Sequence, residues 1–105
     1  MELKVFWTDF AKSELKNIFD YHKEKVSLKI AKQIVEQIVI TADKLKSFPE
    51  MGVVEELLQS RSETFRYIIS TNYKIIYWIN KAKERIEIID VFDTRQNPIK
   101  ISRKK

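Results

Sequence analysis

The side chains of this chain that are able to do chemistry are mostly cations. The 105 residues include 20 Lys and Arg, 15 Asp and Glu, no Cys and a single His, His22. Without cysteine there is no disulfide, thiolate metal site or cysteine nucleophile. One histidine is too few for a multi-histidine metal site, and we interpret His22 as a packing or capping residue at the end of a helix. We therefore expect no metal and no cofactor.

The cations are concentrated in the second half of the chain. Residues 1–60 carry nine Lys and ten acidic residues, a net charge of −1, whereas residues 61–105 carry eleven Lys or Arg and five acidic residues, a net charge of +6. A basic half of this kind favours a polyanionic partner such as RNA, DNA or an acidic peptide. The alternative is a charged surface that serves solubility alone.

The first half predicts a short strand followed by two helices. Residues 2–7 alternate in hydropathy, and Thr8 then offers a hydroxyl cap for a helix over residues 9–25. Ser27 caps a second helix, whose apolar residues recur at steps of three and four until about Phe48, just before Pro49. The two helices are expected to form an antiparallel hairpin with the apolar stripe packed in the core.

The second half predicts an antiparallel meander. Residues 53–62 are predicted to form a connection, with a helical turn at residues 55–59. Three runs of β-branched and aromatic residues follow, beginning at Phe65, Tyr73 and Arg85, with turns at residues 71–72 and 80–83. The predicted fold class is α+β: an N-terminal strand, an antiparallel helical hairpin and a three-stranded antiparallel meander forming one sheet.

Chain length predicts a single domain over residues 1–105, in which residues 99–105 form a frayed basic tail. No apolar run approaches the roughly 20 residues that span a bilayer. The first residues lack the charged-then-apolar order of a signal peptide. A cytoplasmic location is therefore expected.

Four stretches of the chain carry local signatures: FWTDFA at 6–11, LKSFPEMG at 45–52, FRYII at 65–69 with NYKIIY at 72–77, and VFDTRQNP at 91–98. In this order and at this spacing, they resemble the RelE/ParE superfamily of toxins from bacterial type II toxin–antitoxin systems. Each stretch is weak alone, but the resemblance covers nearly the whole chain. The long helical hairpin and the Arg66-Tyr67 start of the central strand look more like the ParE branch. The resemblance implies the fold predicted above.

The resemblance also implies a growth-arresting activity. The ParE branch inhibits DNA gyrase and so blocks replication. The RelE-like alternative is ribosome-dependent cleavage of messenger RNA without metal, in which a ribose 2′-hydroxyl attacks the adjacent phosphate. Nuclease members often have a tyrosine or histidine near the C-terminus and a histidine two residues before the last-strand arginine, where this chain has Ile101 and Asp93. These departures favour gyrase inhibition over cleavage of messenger RNA. A third possibility is that the chain is an inactive interaction module.

Three cations are implied as phosphate- or target-binding residues. Arg95 falls where the family places a phosphate-binding arginine, a role that suits a guanidinium fork. Lys74 stands where many nuclease members have arginine, and Arg66 lies nearby on the paired strand. Because side chains alternate along a strand, Arg66 and Tyr67 point to opposite faces, and only one of them lines a given groove.

Structural roles are the alternatives for these cations. Arg95 has acidic neighbours at Asp93 and Asp90 with which it can pair, Lys74 can be an exposed strand charge, and Arg66 can pair with a nearby glutamate. The tyrosines around them are expected to belong to the sheet core.

The resemblance implies a cognate antitoxin as partner, and contact with DNA only through that antitoxin. We expect an apolar helix or strand of the antitoxin to dock in the groove between the helical hairpin and the sheet. Exposed apolar residues mark such a surface, and the candidates are Trp78, Ile79, Met51 and Val54. Since Tyr77 and Trp78 are adjacent in a strand, one of the two points outward.

Overall fold

The described structure contains one sheet and two long helices. The computed structural model describes residues 3–56 and 63–95. The predicted tail at 99–105 and most of the predicted turn at 55–59 lie outside these ranges. In chain order the elements are β1 (Lys4–Trp7), α1 (Asp9–Lys25), α2 (Leu28–Asp43), a 3₁₀ turn (Lys44–Lys46), β2 (Val53–Val54), β3 (Phe65–Ser70), β4 (Tyr73–Asn80) and β5 (Arg85–Asp93).

Both helices begin at the hydroxyl caps that the sequence predicts. The Thr8 side chain accepts a hydrogen bond from the backbone N–H of Ala11 at 3.2 Å, and α1 has the predicted bounds. The Ser27 side chain accepts one from the backbone N–H of Ile30 at 3.1 Å. Each cap satisfies one of the amide groups that the first turn of a helix leaves without a partner.

The second helix ends earlier than predicted. The α-helix stops at Asp43 rather than near Phe48 and tightens into the 3₁₀ turn. Leu45, within this turn, is completely buried, whereas Phe48 is 65% exposed. The apolar stripe therefore stops packing at Leu45, and Pro49 disfavours helical backbone at the residue before it.

The sheet has the strand order β1-β5-β4-β3-β2. The strands β3, β4 and β5 pair antiparallel in succession, which confirms the predicted meander. Strand β1 pairs parallel with β5. A parallel pair needs a crossover connection, and the helical hairpin forms part of the long connection between these two strands.

A short strand, β2, replaces part of the predicted connection. Val53 and Val54 pair antiparallel with Tyr67 and Arg66. Both valines are β-branched and suit a strand. Two residues are too few for an alternating pattern, so the sequence analysis missed this strand. β2 is the outermost strand at one side of the described sheet.

Apolar residues pack on both faces of the sheet. The main core lies between the sheet and the helices and includes Ile38 and Leu45 with Ile75, Tyr77 and Ile88, all fully buried. We call the side away from the helices the outer face; it carries Phe65, Tyr67, Lys74, Ile76 and Trp78. Phe65 and Ile76 form a second cluster there with Phe92, against which Tyr67 and Trp78 pack.

Within residues 3–56 and 63–95, neither helix has the length and apolar character of a membrane span.

Candidate functional site

Lys74 lies on the outer face in contact with a carboxylate and an aromatic ring. Its Nζ is 2.7 Å from Oε1 of Glu55, and both side chains are largely buried, at 19% and 6% exposure. The same Nζ lies 4.0 Å from the centroid of the Tyr67 ring, a cation–π distance. Lys74 is therefore not the exposed strand charge that was one alternative. Its charge is balanced within the chain.

Glu55 is the residue of this cluster that the sequence analysis did not single out. It directly follows β2, and its backbone N–H donates a hydrogen bond of 2.7 Å to the carbonyl of Phe65. This bond extends the β2–β3 pairing by one residue and places the carboxylate beside Lys74. Glu55 and Lys74 are distant in sequence, and nothing in the local pattern around either residue indicates the contact.

Arg66 lies on the opposite face from Lys74. Its guanidinium donates a hydrogen bond of 3.0 Å to the carbonyl oxygen of Gly52 and a longer one of 3.5 Å to that of Glu50. The predicted alternative was a glutamate pair, but the acceptors are backbone oxygens. The prediction that Arg66 and Tyr67 point to opposite faces of the sheet is confirmed. The Tyr67 ring, not the Arg66 side chain, contacts Lys74.

Tyr77 holds the same loop from inside the core. Its hydroxyl donates to the carbonyl of Pro49 at 2.7 Å and accepts from the backbone N–H of Gly52 at 3.0 Å. Burial raises the pKa of this hydroxyl above its ordinary value. Arg66 and Tyr77 are cross-strand neighbours. Together they fix the loop through residues 49–52 against the start of β3 and the second half of β4.

Arg95 lies just beyond β5 and pairs with Asp93. Its Nε is 2.9 Å from Oδ1 of Asp93, and its Nη2 also contacts that carboxylate, in a two-point pair. Hydrogen bonding from the Arg95 side chain lowers the pKa of Asp93, although burial opposes the shift. The Arg95 side chain is still 70% exposed. The structure thus contains one of the two acidic pairs proposed as alternatives.

His22 has the packing role that we predicted. Its Nε2 lies 2.7 Å from the hydroxyl of Tyr73, and its ring meets the edge of Tyr21. The contact joins the last turns of α1 to the start of β4. Burial, and then the nearby Asp93 carboxylate, raise the pKa of Tyr73.

The three predicted cations therefore occupy different surroundings. Lys74 is on the outer face, Arg66 is bound to the loop through residues 49–52, and Arg95 is at the end of β5 near Tyr73. Each is engaged by oxygen atoms of this same chain. In the described ranges, no group of three or more His, Cys, Asp or Glu side chains is arranged to hold a metal ion.

The four apolar residues predicted to bind an antitoxin divide into two pairs. Met51 and Val54 are exposed, at 51% and 38%. Trp78 is half-buried beside Phe65, with ring centroids 6.5 Å apart. Ile79 is also half-buried and packs against the main core rather than pointing freely outward. Register explains this, because Ile79 shares the helix-side face with Tyr77.

A groove between α2 and the edge of the sheet is lined in part by exposed apolar residues. Its volume is about 610 Å³, and Gln37, Thr41 and Lys44 of α2 form one wall. The other side includes Met51 and Val53 with residues of β3. Val53 and Ile69 are 58% and 48% exposed. The groove lies between the helical hairpin and the sheet, where the sequence analysis expected a partner, but Ile69 and Val53 were not among the predicted residues.

The Arg95–Asp93 pair leads to a prediction for acid stability. Because the folded-state pKa of Asp93 is lowered, the pair stabilises the fold above the ordinary aspartate pKa, and this contribution is lost as the pH falls through the lower folded value. Asp93→Asn should therefore lower the urea midpoint more at pH 7 than at about pH 2, because the stabilisation from the charged carboxylate falls as the pH drops below the ordinary aspartate pKa. Asp20→Asn, in an exposed helical pair with Lys16, is the control. An equal deficit at both pH values would contradict the prediction.

Comparison with known proteins identifies the family. The family model described as the ParE toxin of the type II toxin-antitoxin system parDE matches residues 5–98. The chain belongs to the ParE toxin family. The superfamily resemblance seen in the sequence is thereby confirmed, with the ParE branch favoured. A search of curated protein sequences gave no match.

Solved structures share the fold of this ParE-family chain. A chain of the chromosomal ParDE toxin–antitoxin system from P. aeruginosa superimposes with a TM-score of 0.74 at 16% identity, covering 90% of this chain and 98% of that chain. The RelBE2 toxin–antitoxin complex from Mycobacterium tuberculosis gives 0.60 at 16% identity, with 89% and 99% covered. The isolated E. coli RelE toxin gives 0.55 at 14% identity, with 96% and 94% covered.

Proposed function

We propose that this ParE-family toxin arrests growth by binding DNA gyrase and blocking replication, acting in the cytoplasm through protein–protein contact. Membership of the family supports the assignment as a toxin, and membership of its ParE branch supports DNA gyrase as the target. The observation that carries the choice of target is the engagement of all three candidate cations. Glu55 balances Lys74, Asp93 balances Arg95, and backbone carbonyls hold Arg66. A phosphoryl-transfer site needs cations directed at the phosphate, and each of these is directed at the chain itself.

A cognate antitoxin would neutralise the toxin by occupying the groove between α2 and the sheet edge. The lining includes the exposed apolar residues Met51, Val53 and Ile69, the second of which belongs to the outermost strand of the described sheet, β2. A strand edge presents backbone N–H and C=O groups to an added strand, and the apolar pockets beside it accept alternate side chains. This combination favours an extended apolar segment of the antitoxin as the occupant.

A supercoiling assay tests the proposed target. Purified toxin added to DNA gyrase and relaxed plasmid should reduce supercoiling in proportion to its concentration. Toxin premixed with its antitoxin should leave supercoiling intact, which controls for general interference with the assay. Full supercoiling at saturating free toxin would reject gyrase as the target.

Ribosome-dependent cleavage of messenger RNA is the second candidate function. It is supported by the net charge of +6 in residues 61–105 and by the exposure of the Arg95 side chain, 70% despite its ion pair. Primer extension on messenger RNA from a purified translation reaction tests it. New ends that appear only with toxin and ribosomes present, and that disappear with Arg95→Ala, would favour the endoribonuclease. If induction without antitoxin leaves growth unchanged, the chain is instead an inactive interaction module.

A further inference from the structure

The contact between Glu55 and Lys74 neutralises the charge that Lys74 places on the outer face. The two side chains form an ion pair of 2.7 Å, and the Tyr67 ring lies against the ammonium group. Two directions of approach to Lys74 are therefore occupied, one by a carboxylate and one by a ring. The pair as a whole carries no net charge.

Glu55 is also held in its position. Its backbone N–H is bound to the Phe65 carbonyl, and the residue is only 5% exposed. An incoming phosphate would have to displace this carboxylate or accept its repulsion at close range. Like charges at such distances repel strongly where little water intervenes. The Tyr67 and Trp78 rings of this face would suit stacking with bases. Glu87, opposite Trp78, is paired with Arg85, so Glu55 is the carboxylate that opposes nucleic acid at Lys74.

We propose that Glu55 is a specificity-determining residue that keeps the outer face from binding single-stranded RNA and thereby restricts the toxin to a protein target. This inference rests on the proposed function, because it explains how a basic chain of this fold acts on a protein. It makes Lys74 a latent phosphate contact that Glu55 neutralises.

The test compares two glutamine variants at adjacent positions. Glu55→Gln removes the carboxylate with almost no change of shape, and Glu56→Gln removes the same charge from the exposed neighbouring residue. A third protein, Glu55→Gln/Lys74→Met, removes the released cation as well. Binding to a short fluorescein-labelled single-stranded RNA is measured by fluorescence anisotropy over a series of salt concentrations, and circular dichroism verifies that each variant is folded.

Glu55→Gln should bind this RNA about tenfold more tightly than either wild type or Glu56→Gln, since a charged hydrogen bond to phosphate becomes available. The slope of log affinity against log salt should steepen by about 0.7, the value for one added phosphate contact on a single strand. The double variant should return to the wild-type affinity. Equal affinities for the two glutamine variants would overturn the inference, as would a double variant that binds the RNA as tightly as Glu55→Gln.

The RNA-binding experiment and the supercoiling assay can fail independently of each other. If wild-type toxin inhibits gyrase but Glu55→Gln gains no RNA affinity, the proposed target stands and the role of Glu55 falls. If Glu55→Gln gains RNA affinity while gyrase is unaffected by wild-type toxin, the charge effect of Glu55 stands and gyrase is rejected.

Discussion

Gly52→Ala is expected to lower the free energy of unfolding by about 3 kcal/mol or more, as overpacking and a lost buried hydrogen bond combine. A Cβ at this position would lie 2.5 Å from the Tyr77 hydroxyl oxygen and 2.8 Å from the carbonyl oxygen of Tyr67. The first atom belongs to a fully buried ring and the second to the backbone of β3, so neither can move away cheaply. The φ angle of Gly52 is not positive, so backbone conformation does not require glycine at this position. Glycine is required because a side chain would collide with these two atoms.

Urea unfolding followed by circular dichroism measures this effect. Met51→Ala is the matched control, because it changes the preceding, half-exposed residue of the same loop without entering the Tyr77 contact. Met51→Ala should stay within about 0.5 kcal/mol of wild type, as exposed substitutions usually do. Similar midpoints for the two variants would mean that the loop relaxes around the added methyl group.

Ile69→Asp is expected to weaken antitoxin binding by about 100-fold or more, if the groove beside β3 is the antitoxin site. Ile69 is 48% exposed and lines the groove with Met51 and Val53. An apolar segment docked there would desolvate the new carboxylate without giving it a partner, and apolar anchors at an interface centre commonly contribute 2 kcal/mol or more. Isothermal titration calorimetry with the cognate antitoxin measures the change in Kd.

Ile40→Asp provides the matched control for this experiment. Ile40 is also exposed, at 55%, but it is not among the residues that line the groove. Its variant should bind antitoxin with nearly wild-type affinity. If both aspartate variants bound equally tightly, the antitoxin would have to lie elsewhere on the toxin. Trp78 and Ile79, which line a second groove together with Arg66, would be tested next.

The helical half of the fold could be predicted because its signals are local. Thr8 and Ser27 are caps whose hydrogen bonds reach only three residues along the chain, and the structure contains both. The meander was predictable for a similar reason, since short turns join strands that then pair with each other. The error at the end of α2 arose where packing of Leu45, rather than propensity, determined the helix end.

The candidate site was less predictable, because its partners are distant in sequence. The sequence placed Lys74 and Arg66 near one another on paired strands and Arg95 at the end of the last strand. Alternation separated Arg66 from Tyr67, but the oxygen atoms that engage two of the cations come from residues 50–55, in a segment predicted as a loop and connection. Only the Arg95–Asp93 pair, two residues apart, lay within reach of sequence reasoning, and that pair is present.

Sequence alone determined the α+β class, the helical hairpin, the meander and the superfamily, since each follows from caps, periodicity and motif order along the chain. The tertiary structure alone decided that β1 joins β5 in parallel, that Val53–Val54 form an edge strand, and that Glu55 neutralises Lys74. These three features depend on contacts between residues far apart in the chain. Such contacts exist only after the sheet has assembled, and no local pattern of residue types specifies them.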